Sequence, residues 1–203
     1  MHEDLNFEDK FAESFISIAL NAFFAQLNKI QQSAHLKEIF DRATEKTFTD
    51  IFDKALWMEF TREDLVSFQQ LSINKINNAL GFVDMLVEYK KDTMFIFECK
   101  SYWGDENEPD SHYWKQDEAN AFYDKTFIQA NSYMENENSL YSKYKNIYLV
   151  VLTFAKVEFK DKSCITKWLF TDSDINEFYG FDIYTIDKKN IGIAAYGKFV
   201  KKR

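Results

Sequence analysis

The sequence predicts a single α/β domain built on a central sheet, and three observations carry that prediction. A long apolar segment with helical spacing opens the chain, the stretch from 81 to 103 changes to a period of two, and the run IYLVVLTFA at 147–155 reads as a buried strand. The chain has 203 residues, one domain with room for insertions at a prior of ~150 residues per domain. Its composition is 46% hydrophobic, 18% aromatic and 29% charged, with a single Pro and five Gly, which excludes disordered, collagen-like and linker-rich classes.

Residues 8–30 read as a helix. Phe11, Phe15, Ile18 and Ala22 recur at spacings of four and three, and Ile16, Leu20 and Phe24 cover a second flank, so most of the circumference should be packed. Glu13 projects within about 60° of that second flank, at ~100° per residue. A carboxylate there needs a partner. The segment 31–79 is expected to be a helical insertion, with residues 34–70 helical in two pieces. In GFVDMLVEY and MFIFECKSY, Val83, Met85, Val87 and Tyr89 and then Phe95, Phe97 and Cys99 alternate with the intervening residues, which predicts two strands joined by a tight turn. A helix over about 113–135 follows, with Tyr123, Phe127, Ala130 and Met134 on the face toward the sheet and Lys115, Glu118, Phe122, Lys125, Gln129 and Tyr133 on the other. A strand at 146–159, a helical or irregular stretch near 165–179, and shorter strands at 181–187 and 190–199 complete the chain.

The turn between the first two strands fixes a register. A three-residue connection at 90–92 pairs Tyr89 with Thr93 and therefore sets Asp84 opposite Glu98. Like charges placed directly across a ladder are destabilising, so a cation between them is the natural explanation. Asp84, Glu98 and the backbone carbonyl of Cys99 are the oxygen types that hard divalent ions such as Mg²⁺ or Mn²⁺ prefer. Lys100, two residues beyond Glu98, projects to the same face, where an ammonium could orient water or hold a phosphate oxygen. A cation at that point would bring the pKa of a water toward neutrality.

These residues resemble the PD-(D/E)XK nuclease superfamily, whose pattern is a helix with Glu, a strand with Asp, a strand with (D/E)-x-K and a further helix. Glu13, Asp84, Glu98 and Lys100 take those places in order, and Gln129-Ala-Asn-Ser-Tyr133 is similar to the Q-x-x-x-Y motif of the RecB-like branch. The resemblance implies a three-layer α/β/α restriction-endonuclease-like core with a mixed sheet and Mg²⁺- or Mn²⁺-dependent cleavage of nucleic acid, DNA before RNA. It also implies roles: Asp84, Glu98 and the Cys99 carbonyl as metal ligands, Glu13 and Lys100 in catalysis, and Gln129 and Tyr133, with Lys125 beside them, toward substrate. It covers roughly 8–30 and 80–160, and Gly81-Phe82-Val83 stands where the family often has Pro before Asp.

Other readings remain open on sequence alone. Asp84, Glu98 and Lys100 could form a structural salt-bridge cluster, and Glu13 could pair with Arg42 or Arg62. The net charge of −8 argues against a bulk electrostatic grip on nucleic acid, which leaves a catalytically silent binding module as the alternative, with a second copy or another protein as partner. A local basic patch from Lys115, Lys125, Lys198, Lys201, Lys202 and Arg203 would offset that balance, and Trp103, Tyr113 and Trp114 could stack bases, although all four Trp, Trp57 and Trp168 included, read better as buried anchors. The polar start lacks a secretory pattern, no run approaches the ~20 apolar residues of a membrane span, and Cys99 and Cys164 lie far apart, so a cytoplasmic protein with reduced thiols is expected.

Overall fold

A computed structural model describes residues 2–5, 9–32, 43–61, 63–74, 80–105, 125, 128, 129, 132, 142–159, 177–186 and 189–202. The elements are β1 (His2–Leu5), α1 (Lys10–Gln31), α2 (Glu45–Glu59), β2 (Leu65–Asn74), β3 (Leu80–Tyr89), β4 (Thr93–Asp105), β5 (Asn146–Phe159), β6 (Glu177–Ile186) and β7 (Lys189–Lys201). The seven strands form one mixed sheet in the order β1-β6-β7-β5-β4-β3-β2. Among the described residues only β4 and β5 pair in parallel, which requires the long crossover between them. The α/β class is as expected.

Alternation along β4 and β5 divides the sheet into two faces. Phe95, Phe97 and Cys99 of β4, with Tyr148, Val150, Leu152 and Phe154 of β5, join α1 and α2 in the main core. Met94 and Ile96, with Ile147 and Leu149, lie on the opposite face with Leu86, Val83 and Tyr144. Aromatic contacts fix the helix directions. Phe15 stacks on Phe95 at 4.0 Å and Phe23 meets Phe154 at 5.3 Å, so α1 runs along β4 and β5 in their own direction. In α2, Phe48 meets Phe154 and Phe52 meets Phe97, each at 5.6 Å, so this helix runs the other way and begins beside the C-terminal half of β4.

Both helices start on explicit caps. Asp9 Oδ1 accepts from the Phe11 and Ala12 amides, while its Oδ2 accepts from Tyr148 and Lys201, each at 2.9 Å. That carboxylate ties the first turn of α1 to β5 and β7. Thr44 and Thr47 form a reciprocal capping box at the start of α2.

Several expectations need correction. Residues 65–74 form β2, an antiparallel partner of β3, so the 31–79 insertion is not wholly helical. Residues 45–59 are helical as expected. β1 was not anticipated. Val83 packs on the opposite face from Met85 and Val87, and Trp57 is 39% exposed and donates to Ser67 rather than anchoring the core. Most of the 113–135 helix and of the 165–179 stretch lies outside the described residues; Lys125, Ile128, Gln129 and Ser132 are helical, whereas 177–179 already belong to β6, which starts before the expected 181. Among the described residues no helix is long and apolar enough to cross a membrane.

The sheet is closed tightly onto α1 where β6 passes Phe24. A Cβ on Gly180 would stand 2.7 Å from Phe24 Cε2, and Phe24 is fully buried. Gly180→Ala should therefore cost about 1–3 kcal/mol by overpacking, read as a lower urea midpoint. An unchanged midpoint would show that Phe24 yields freely.

Candidate functional site

The hairpin register agrees with expectation as far as it goes. Tyr89 pairs with Thr93, and the ladder continues to Met85 opposite Phe97. There it ends, one step before Asp84 would face Glu98. Instead of standing beside Glu98 in a ladder pair, Asp84 turns its carboxylate across the gap, and its Oδ2 accepts from the Cys99 backbone N–H at 2.8 Å. That amide points toward β3, where a continued ladder would have given it a carbonyl. A side-chain oxygen has taken the place of a backbone one.

Glu98 occupies the opposite situation. It sits in the middle of β4, which is hydrogen-bonded to β5 along its whole length, and is 2% exposed. Its Oε1 accepts from Lys100 Nζ at 2.8 Å and from Gln129 Nε2 at 2.6 Å. Its Oε2 is buried and has no hydrogen-bond partner among the described residues. Lys100 Nζ also donates to the Cys99 carbonyl at 2.9 Å and lies 3.7 Å from Asp84 Oδ2. One ammonium thus bridges both acids and covers the backbone oxygen expected to serve a cation. On β5, Thr153 stands in register with Lys100, and its hydroxyl is also buried without a partner.

A third carboxylate joins this group, and it is not Glu13. Glu45, in the first turn of α2, lies close enough to the Ser101 backbone N–H for that dipole to favour its charge, and it feels the charges of both Lys100 and Asp84. Cys99 and Ser101 are alternate residues of β4 beyond the end of the ladder: Asp84 accepts from the first amide and Glu45 lies near the second. Glu13 lies one turn after the Asp9 cap, two residues before the Phe15 ring that stacks on Phe95. From Phe95 to Glu98 is roughly 10 Å along the strand at ~3.3 Å per residue, so the start of α1 lies toward the wrong end of β4. The start of α2 lies at the right one. Sequence reasoning missed Glu45; its only local signal is a Thr-led cap followed by an acid.

Burial, with Asp84 and Glu45 adding to it against the opposing pull of Lys100, pushes the Glu98 carboxyl up to about 7. Burial also raises Glu45 above its ordinary value, with Lys100 opposing. For Lys100 burial works against the charge, but the Glu98 hydrogen bond and the neighbouring carboxylates outweigh it and hold the amine protonated. Burial keeps the Cys99 thiol far above its ordinary value, so it is inert packing, as expected.

Of the remaining expected residues, Lys125 is exposed one helical turn before Gln129, and Tyr133 lies outside the described residues. The basic patch is not one surface. Lys198 shares the cross-strand row of Glu98 and Val151, whereas Lys201 is held by Asp9 on the helix-covered face. Among the described residues no three His, Cys, Asp or Glu side chains already converge as a metal-holding group. Comparison of the chain with protein-family models, with curated proteins and with solved structures finds no match.

The buried carboxyl has a consequence for stability. Below pH 4.5 Glu98 is neutral in folded and unfolded chain alike; between 4.5 and about 7 only the unfolded chain releases its proton, so stability falls as pH rises and levels off above. At ~1.4 kcal/mol per pH unit the loss reaches at most about 3 kcal/mol. Urea unfolding in EDTA should show wild type losing stability relative to Glu98→Gln across that window. Parallel profiles from pH 4 to 8 would mean that Glu98 ionises freely.

Proposed function

We propose that the chain is a metal-dependent nuclease with a restriction-endonuclease-like three-layer core, hydrolysing phosphodiester bonds of nucleic acid, DNA before RNA, in the cytoplasm. The observation that carries this reading is the buried, unpartnered Glu98 Oε2 beside Asp84 and Glu45. A buried carboxylate oxygen without a donor is costly and is accounted for by an ion in its place. Three carboxylates face one ammonium here, so with all of them ionised the cluster carries an excess charge of −2, matched to a divalent cation.

Asp84, Glu98 and Glu45 would hold Mg²⁺ or Mn²⁺, hard ions that take carboxylate oxygens. The Cys99 carbonyl becomes available once Lys100 swings off it. When bound, the ion supplies charge neutralisation at the phosphate and a more acidic water. Lys100, freed from Glu98, donates to a phosphate oxygen and stabilises the charge that develops during attack. Gln129 leaves Glu98 Oε1 to orient the substrate, with Lys125 a turn away; Tyr133 keeps the substrate role that the resemblance gives it. Lys198, two strands from Glu98 in the same row, stands about 10 Å off at ~4.8 Å per strand, placed for a neighbouring phosphate.

A second reading has its own observation. Lys100 already spans Glu98, Asp84 and the Cys99 carbonyl, an arrangement that could neutralise the acids permanently and leave a silent binding module. Lys100→Ala separates the two. For a nuclease it should abolish cleavage of duplex DNA, single-stranded DNA and RNA by about 100-fold or more, while Mn²⁺, measured by calorimetry, binds at least as tightly because a competing cation is gone. If wild type and variant neither bind Mn²⁺ nor cleave, the silent module is the correct reading.

A further inference from the structure

The sheet is irregular at one step, and that step contains Asp84. On β2, Gln70 has φ 51°, in the left-handed region that a non-glycine side chain rarely adopts in a strand. It lies opposite Asp84. The β2–β3 ladder runs from Leu65↔Tyr89 to Gln69↔Met85, omits Gln70 and Asp84, and resumes at Leu71↔Val83 with the same register. No residue has been inserted, so this is not a bulge that slips the pairing.

Both strands change faces across the omitted pair. Before it, Leu65 of β2 and Met85 and Val87 of β3 point into the core under α1 and α2. After it, Leu71 and Val83, which alternation should place on that same side, pack in the cluster on the opposite face. The β3–β4 ladder stops at the same level, after Met85↔Phe97. Asp84 is thus released from both neighbours at the point where its strand rotates, and its carboxylate is found in the gap on the Cys99 amide.

We propose that Gln70 is a positioning residue: its left-handed backbone turns β2 and β3 over together and so carries Asp84 out of the ladder and onto the edge of β4. Among the described residues Gln70 makes no hydrogen bond or ion pair with the acids. Its side chain is exposed, so what matters is its backbone rather than its amide group. The geometric claim stands apart from the nuclease reading; only its effect on a bound cation rests on that reading.

The test uses the full chain without metal first. Gln70→Gly keeps the left-handed backbone without strain, while Gln70→Val, β-branched, opposes it. Hydrogen exchange should show the Cys99 amide at least tenfold less protected in Gln70→Val, approaching Asp84→Ala, with Phe95 and Phe97 unchanged, and wild-type protection in Gln70→Gly. If Gln70→Val does not fold, Gln70→Thr takes its place. Equal protection of Cys99 in the β-branched variant and wild type overturns the proposal, as does lost protection in Gln70→Gly. Mn²⁺ titration of the same proteins then separates the two readings. Affinity reduced tenfold or more in the β-branched variant alone supports both. Altered exchange at Cys99 with no Mn²⁺ binding by wild type leaves the positioning role standing and removes the nuclease reading.

Discussion

A carboxylate on the central part of a sheet, almost shut off from water, is the constraint around which this molecule is arranged. Glu98 cannot move: β4 is held by β5 along its length, and Phe97 and Cys99 on either side are locked into the main core. Removing such a group from water is expensive unless charge and donors are brought to it. Lys100 and Gln129 are brought to one oxygen, and the other is left without any. The surroundings then add Asp84 and Glu45, both of which make ionising Glu98 harder. An arrangement that served stability alone would have supplied donors instead of further acids.

The acids reach Glu98 because the ladder fails there. Beyond Phe97, among the described residues, β4 has no ladder partner on its β3 side, and the Cys99 amide needs an acceptor. Asp84 provides it, and Glu45 lies near the Ser101 amide further along. Asp84 is therefore fixed by one oxygen to a rigid strand. A hairpin and a helix far apart in sequence thus meet at the same few ångströms of backbone. The open edge also explains why the two acids tolerate each other, since neither is forced into direct cross-strand opposition.

Much of this was legible in the sequence, and the limits have physical causes. The register of the hairpin followed from turn length and alternation because both are local. The long strand β5 and the packed helix α1 declared themselves by apolar pattern. β2 did not, since the face reversal at Gln70 destroys the period of two that would have marked it: Leu65 and Leu71 have the same parity but opposite faces. Glu13 stands out in the sequence, and Glu45 does not, for a similar reason. The wheel places Glu13 beside an apolar flank, but a wheel carries no information about which end of a helix meets which end of a strand. That is settled by Phe15 on Phe95 and Phe52 on Phe97, contacts between distant residues.

The acidic balance of the chain acquires a particular meaning on the proposed reading. A phosphodiester approaching Asp84, Glu45 and an ionised Glu98 meets repulsion that Lys100 alone does not cancel. With net charge −8 the remainder of the surface offers no general attraction to overcome it. A divalent cation held there would cancel that excess charge, and Lys100 would then leave its two acceptors on β4. Binding of an ion and exposure of the amine would then be coupled, because the ammonium already occupies Glu98 Oε1 and the Cys99 carbonyl, oxygens that would hold the ion. Catalytic order would follow from this competition: the lysine is unavailable to a phosphate until the metal has displaced it, and the substrate is repelled until the same moment.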